Sequence, residues 1–261
     1  MGNGTREVKR CGKSEPEPEC LTEFRRENPG GDWNKFRGGG RPCYDTVRAT
    51  LAADQHGLCA YCETSLTPDN RQIAHYHPKS DTDGPVNHGL RWTNMWLACL
   101  GGSSRTAGGG LHWHEPTREN ISCDQATENQ IPDGGILAPC DVPAFPRIVR
   151  YMQVPDALRL VADEDGCRAA GIPVEKVERT IQVLNLNCLR LAKARLAVSR
   201  ALTRPKSRIR EFPTIQQPKL WAALIQQHLG NGKIPEFFTV YRWAFNSGGV
   251  EAYLGESDFE G

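Results

Sequence analysis

The spacing of apolar residues changes several times along this chain, and each spacing predicts a different element. In YDTVRATLAADQHG the apolar positions 47, 51 and 52 fall on one helical stripe, and the run closes on Gly57. Glycine supplies the left-handed residue with which many helices end. A shorter helix is predicted over LTEFRREN, stopped by Pro-Gly-Gly, and SEPEPEC ahead of it reads as extended, polyproline-like backbone. Residues 58–98 hold short apolar pieces separated by turn residues, as in a knuckle followed by a small β-hairpin. Residues 100–122 have no apolar rhythm and read as a long polar loop. PRIVRYMQV and ALRLVAD read as strands, followed by a turn at EDG. From residue 173 the period becomes helical. PVEKVERTIQVLNL opens on proline and places Val177, Ile181 and Leu184 near one face. NCLRLAKARLAVSRALTRP continues as a basic helix expected to stop at Pro205. Further helical stretches are expected at 218–230 and 235–254, broken by Gly-Asn-Gly. No internal repeat is visible.

Together these elements predict an α+β fold in three regions. Residues 1–57 form a polar N-terminal segment with helices, 58–130 a small core, and 131–261 a mixed, then helical, C-terminal region. Apolar content of 38% and charged content of 24% fit a folded globular chain. The net charge of +1 gives no molecule-wide attraction for nucleic acid, so any basic surface must be local. One such place is RLAKARLAVSRALTRPKSRIR, with eight basic residues and no acid, suited to a DNA backbone or to a partner protein. The N-terminus has no apolar leader, and no run of about 18 apolar residues occurs, so neither a signal peptide nor a membrane span is expected. The expected location is the cytoplasm.

The ten cysteines sharpen this picture. In a reducing compartment clustered thiols usually bind metal rather than pair. Cys59 and Cys62 form a CxxC knuckle, and Cys99 and Cys123 follow. Zinc favours four ligands in a tetrahedron, so these four cysteines predict one Zn²⁺ site, closed and therefore structural. The wide gap between Cys99 and Cys123 is filled by the glycine-rich loop. Cys11, Cys20, Cys43, Cys140, Cys167 and Cys188 read as plain buried or surface thiols.

Between the two halves of the cysteine set lie IAHYHPKS and WTNMWLAC. This arrangement resembles the HNH nuclease superfamily, whose members carry a ββα-metal motif, in many families braced by a four-cysteine zinc. The sequence is more closely similar to the PtuB-type HNH endonucleases of Septu anti-phage defence and of some retron systems. The resemblance rests on CAYCE, then His-x-x-Pro-Lys-Ser, then Trp-x-Asn-x-x-Leu-Ala-Cys, then a late Cys-Asp. It continues through IQVLNLN, LAKARL and the N-terminal EPECLTEFRRE, covering about residues 15–200. It implies a small ββα-metal core flanked by helices, an endonuclease cutting DNA with Mg²⁺ or Mn²⁺, and a partner ATPase of the PtuA type. The chain itself has no P-loop, so ATP chemistry would belong to that partner.

Within the resemblance, His75 matches the general base and Asn94 the residue whose amide orients His75 or its loop. Asp124 matches a polar metal ligand on the helix, and oxygen donors suit hard cations. The departure is Ala74, where HNH proteins usually carry a metal-binding acid. Three readings follow. His77 substitutes, since residues two apart share a strand face; or the metal rests on Asp124 with water and phosphate; or the chain is a degenerate, zinc-stabilised subunit that binds DNA or a partner without cutting. Lys79, Arg91 and Arg105 are candidate phosphate contacts. His112 and His114 fall in the polar loop, and Trp92 and Trp96 read as core.

Overall fold

A computed structural model describes residues 12–39, 41–81, 84–103, 117–127, 134–229 and 234–245. The chain opens with three helices, α1 (Glu19–Glu27), α2 (Trp33–Gly39) and α3 (Arg41–Asp54). Val47 and Leu51 of α3 are buried, as their spacing predicts, and His56 and Gly57 turn the chain with positive φ. They join Leu21, Trp33 and Phe36 in a core that also takes residues of the central hairpin. Helix α2 was not predicted, because its Gly-Gly end reads as a breaker. Yet Trp33 and Phe36 stand three apart on one buried face, and Asp32 Oδ1 accepts the Lys35 N–H at 2.8 Å to start the helix.

The central hairpin pairs β1 (Gln72–His75) antiparallel with β2 (Met95–Ala98), in the register Ala74 opposite Trp96 and His75 opposite Met95. The one-turn helix α4 (Asp124–Thr127) follows Cys123. A second hairpin pairs β3 (Val149–Val154) with β4 (Ala157–Ala162), at the places where strands were expected. The remaining helices are α5 (Glu164–Ala170), α6 (Val174–Val183), α7 (Leu189–Arg210), α8 (Gln217–Leu229) and α9 (Phe238–Ala244). One apolar core joins the cysteines and Ala74 to β4, α6 and α7, and reaches Val240 of α9.

Three local expectations are corrected. The turn expected at EDG is the first turn of α5, because Asp163 Oδ1 accepts the Gly166 N–H at 3.1 Å and Gly171 closes the helix at φ +66°. Helix α7 does not stop at Pro205 but runs on to Arg210. Leu202 and Ile209, on either side of the proline, are both buried against Trp221 and Phe245, and this packing outweighs the lost backbone bond. Cys20 and Cys43 are not plain thiols but a disulfide joining α1 to α3. Packing of those two helices brings the Cα atoms to 5.5 Å, an ordinary bridging distance that spacing along the chain cannot reveal. Of the other expected thiols, Cys167 and Cys188 are buried and Cys140 is exposed, whereas Cys11 lies outside the described residues. Among the described residues no helix is long and apolar enough to cross a membrane.

Candidate functional site

The knuckle is built by polar groups that hold backbone rather than by apolar packing alone. Gln55, at the end of α3, is buried. It donates to Leu58 O at 2.9 Å and Leu97 O at 2.7 Å and accepts from Leu97 N–H at 2.8 Å, so it locks the knuckle to β2. Glu63 takes a positive φ of 64° to close the CxxC turn. Its backbone carbonyl accepts the Phe237 N–H, and its carboxylate accepts the Thr239 N–H and hydroxyl, so α9 is fastened onto the knuckle. Cys99 follows β2 and Cys123 precedes α4.

These turns bring four buried sulfurs together. Cys59 Sγ lies 3.9 Å from Cys123 Sγ, Cys62 Sγ 3.7 Å from Cys99 Sγ, and Cys99 Sγ 3.8 Å from Cys123 Sγ. A tetrahedron with zinc–sulfur bonds of about 2.3 Å has edges of about 3.8 Å, so the cluster has the dimensions of a zinc site. Burial pushes the Cys59 thiol well above its ordinary pKa, and the neighbouring thiols do the same to Cys123. Burial also pushes Cys62 up, but hydrogen bonds from Cys123, Cys59 and Cys99, with the charge of Arg190, outweigh it and hold Cys62 low. A dication bound here must therefore displace protons from buried thiols. Arg190 itself is buried. Burial works against its charge, but Cys188, Cys62, Cys99 and Cys123 offset that cost and raise its pKa. Its Nη2 donates to Ser122 Oγ at 2.6 Å. Arg195 is also buried and donates to Leu186 O at 2.6 Å. Two of the basic residues in α7 thus serve the interior, while Lys193, Arg200, Arg204, Arg208 and Arg210 remain exposed.

His75 ends β1 and is buried. Its Nε2 lies 3.1 Å from Gly89 O, and a carbonyl can only accept, so Nε2 carries the hydrogen and Nδ1 keeps its lone pair. Trp33 packs edge-on against the ring at 4.4 Å. Burial lowers the His75 pKa to about 4; the Gly89 bond opposes this, and Lys79 and Lys13 add to it. The imidazole is therefore neutral near pH 7, with an accepting nitrogen. Asp124, the first residue of α4, accepts from Gln72 Nε2 at 3.0 Å. Burial raises its pKa to about 6, against the pull of Lys79 and the His75 backbone N–H. Ala74 alternates with His75 along β1 and packs in the core that holds the four cysteines, so it brings no ligand atom to either residue.

His77 does not share a strand face with His75, because β1 ends at His75. Asn94 draws the chain out of the strand. Its Oδ1 accepts the His77 N–H at 2.7 Å, and its Nδ2 donates to His77 O at 2.9 Å and His88 O at 2.8 Å. Asn94 thus clamps the loop rather than the His75 ring. The His77 ring stacks on His88 at 3.7 Å, and His77 Nε2 meets Asp81 Oδ2 at 2.7 Å. Ligand atoms of His77, Asp81 and His88 all lie within 4.8 Å of one another. Among the described residues this trio and the four cysteines are the groups of three or more that could share an ion, and neither includes His75 or Asp124.

Lys79 is exposed and acts electrostatically on both His75 and Asp124. Arg91 is exposed at the start of a short 3-10 turn, Trp92–Asn94. Arg105, His112 and His114 lie outside the described residues. Trp92 and Trp96 are buried, as expected. Sequence reasoning missed Gln55, Trp33, His88 and Arg190. Gln55, Trp33 and Arg190 work through partners distant in the chain, whereas His88 meets His77 across a single loop, and only the aromatic character of Trp33 gave any local signal.

No family model matches the sequence, and no solved structure matches it. The chain is similar to the Escherichia coli protein named "Retron Ec83 putative HNH endonuclease", with 32% identity over 209 residues, covering 72% of this chain and 78% of that relative.

Proposed function

The chain belongs to the HNH endonuclease family, and from that premise we propose that it hydrolyses DNA phosphodiester bonds with a divalent metal, using His75 as general base. The observation that carries this reading is the fixed tautomer of His75. Gly89 O holds the hydrogen on Nε2, Trp33 braces the ring, and Nδ1 is left to take a proton from water. The water oxygen forms the new bond to phosphorus as its proton passes to Nδ1, and the bond to the leaving oxygen breaks. Asp124 offers a carboxylate oxygen, the donor that hard cations prefer, and His77 with Asp81 and His88 offers a mixed nitrogen and oxygen set. A bound Mg²⁺ or Mn²⁺ supplies charge relief to the phosphate and steadies the leaving oxygen. Cys59, Cys62, Cys99 and Cys123 would hold Zn²⁺ as a brace with no open position.

In this reading the nuclease serves anti-phage defence beside a PtuA-type ATPase that restrains or triggers it. The support is the resemblance of the CAYCE-to-Cys-Asp pattern to that branch, together with the retron origin in the relative's name. A supercoiled-plasmid nicking assay with Mg²⁺ or Mn²⁺ tests the chemistry. His75→Ala is expected to lower the rate by about 10²–10⁴-fold. Cleavage untouched by His75→Ala removes the base assignment. No cleavage by the wild-type chain, alone or with its ATPase, overturns the reading. In that case the second reading stands, a zinc-braced subunit that binds DNA or a partner without cutting, and Ala74 is the residue that favours it.

A further inference from the structure

A cleft of about 380 Å³ runs between helices α2 and α3 on one side and β1 with α4 on the other. Its lining includes Arg37, Arg41, Arg48, Arg71 and Lys79, with Asp124 as its carboxylate. Among the described residues five cations line it around one acid, a marked concentration in a chain of net charge +1. The sequence explains the helical wall. On α3, Val47 and Leu51 face inward, while Arg41, Tyr44 and Arg48 follow at helical spacing on the stripe that borders the cleft. Asp45 contacts Arg41 at 3.6 Å and Arg48 at 3.0 Å, which tethers two of the cations without closing the cleft.

Two further observations point to an anionic occupant. Arg71 Nε is buried and has no hydrogen-bond partner among the described residues, so its donor is set for an acceptor that they do not provide. The cleft also lies beside the proposed reaction centre. Trp33, which lines it, is the ring that packs edge-on against His75, and Asp124 is part of its lining.

We propose that this cleft grips the phosphodiester backbone of the strand to be cut, with Arg37, Arg41 and Arg71 as phosphate contacts; the assignment rests on the endonuclease reading. Arginine forks suit phosphate oxygens, and such contacts position a strand without reading its sequence. The N-terminal helices are then a substrate-positioning wall, and the exposed cations of α7 are not the principal track.

The test is fluorescence anisotropy of the zinc-loaded full chain with labelled duplex DNA, single-stranded DNA and single-stranded RNA, without Mg²⁺ or Mn²⁺. Arg37→Ala with Arg41→Ala removes two cations from exposed positions, and zinc content and thermal melting verify the fold. Binding is expected to weaken about tenfold, and the slope of log affinity against log salt to flatten by about 1.8 for duplex and about 1.4 for a single strand. Arg71→Lys keeps the charge but loses the fork, so affinity falls with the slope unchanged. Arg200→Ala with Arg204→Ala on α7 leaves binding as it was. A cleft variant that binds within about twofold of wild type with an unchanged slope overturns the proposal, as does loss confined to the α7 variant. The nucleic acid on which the loss is largest identifies the strand type. Plasmid nicking separates this proposal from its premise. Cutting and binding that survive the cleft variants sink the cleft alone. Binding lost in the cleft variants of a chain that never cuts sinks the nuclease alone.

Discussion

Substituting Asn94 by alanine removes three short hydrogen bonds at once, two buried ones to the His77 N–H and His77 O and a half-buried one to His88 O. Each neutral bond is worth about 1 kcal/mol net, and a buried partner left without a substitute costs about 1–3 kcal/mol. Water can rescue part of this, so the expected loss is about 3–5 kcal/mol, a large share of the roughly 5–15 kcal/mol that holds a domain folded. Asn94→Asp is the sharper companion. It keeps an acceptor for the His77 N–H but turns a carboxylate oxygen toward two carbonyls, so it should be at least as damaging. Urea unfolding of the zinc-loaded chain, followed by tryptophan fluorescence, gives both values. Hydrogen exchange at the His77 amide reports the clamp directly, with faster exchange expected in both variants. The reasoning fails if Asn94→Ala costs less than about 1 kcal/mol and the His77 amide stays protected while cleavage disappears. The amide would then act on substrate, not on the loop.

Other outcomes follow from the same geometry. Metal analysis should find one zinc per chain, lost together with much of the thermal stability in Cys59→Ser; a zinc-free wild-type chain with unchanged melting would remove the site. Asp124 must be ionised to hold a cation and its pKa stands at about 6, so metal-dependent cleavage should climb from pH 5 to 7 with its midpoint near 6. His75, at about 4, adds no limb in that window, because it is already neutral there. A profile flat from pH 5 to 7 at limiting Mg²⁺ would show that Asp124 holds no catalytic ion. Gly101→Ala should cost about 2 kcal/mol or more and weaken zinc binding. Gly101 sits at φ +59°, and an added Cβ would lie 2.2 Å from Ser122 O, beside the cysteines; calorimetry and zinc competition measure both effects.

What the sequence could disclose follows the reach of each interaction. The hairpin β1–β2 and the strands β3–β4 rest on short apolar runs between turn residues, and the inward stripe of α3 on helical spacing, and they appear where those patterns put them. The four cysteines were legible because a CxxC knuckle with two later cysteines is a spacing suited to a tetrahedral metal site, and the fold does bring their sulfurs together. Pro205 misled because its local penalty is real, but the opposing burial of Leu202 and Ile209 comes from α8 and α9. The basic run in α7 was legible only in part: composition counts charges, and only the fold turns Arg190 and Arg195 inward while Lys193, Arg200, Arg204, Arg208 and Arg210 stay exposed. Arg37, Arg41 and Arg71 carried no signal, since they come to line one cleft only where α2, α3 and the start of β1 meet.

The bond between Glu63 and Thr239 also sets a schedule. The knuckle's own acid is satisfied by a residue 176 positions later in the chain. At about 5–20 residues per second on the ribosome, that partner arrives about 9–35 s after Glu63 is made. Until then the turn carrying Cys59 and Cys62 has neither the Thr239 donors nor the Phe237 N–H. Each chain therefore carries a half-fastened knuckle for most of the time it is being synthesised. The last described helix is the piece that closes it.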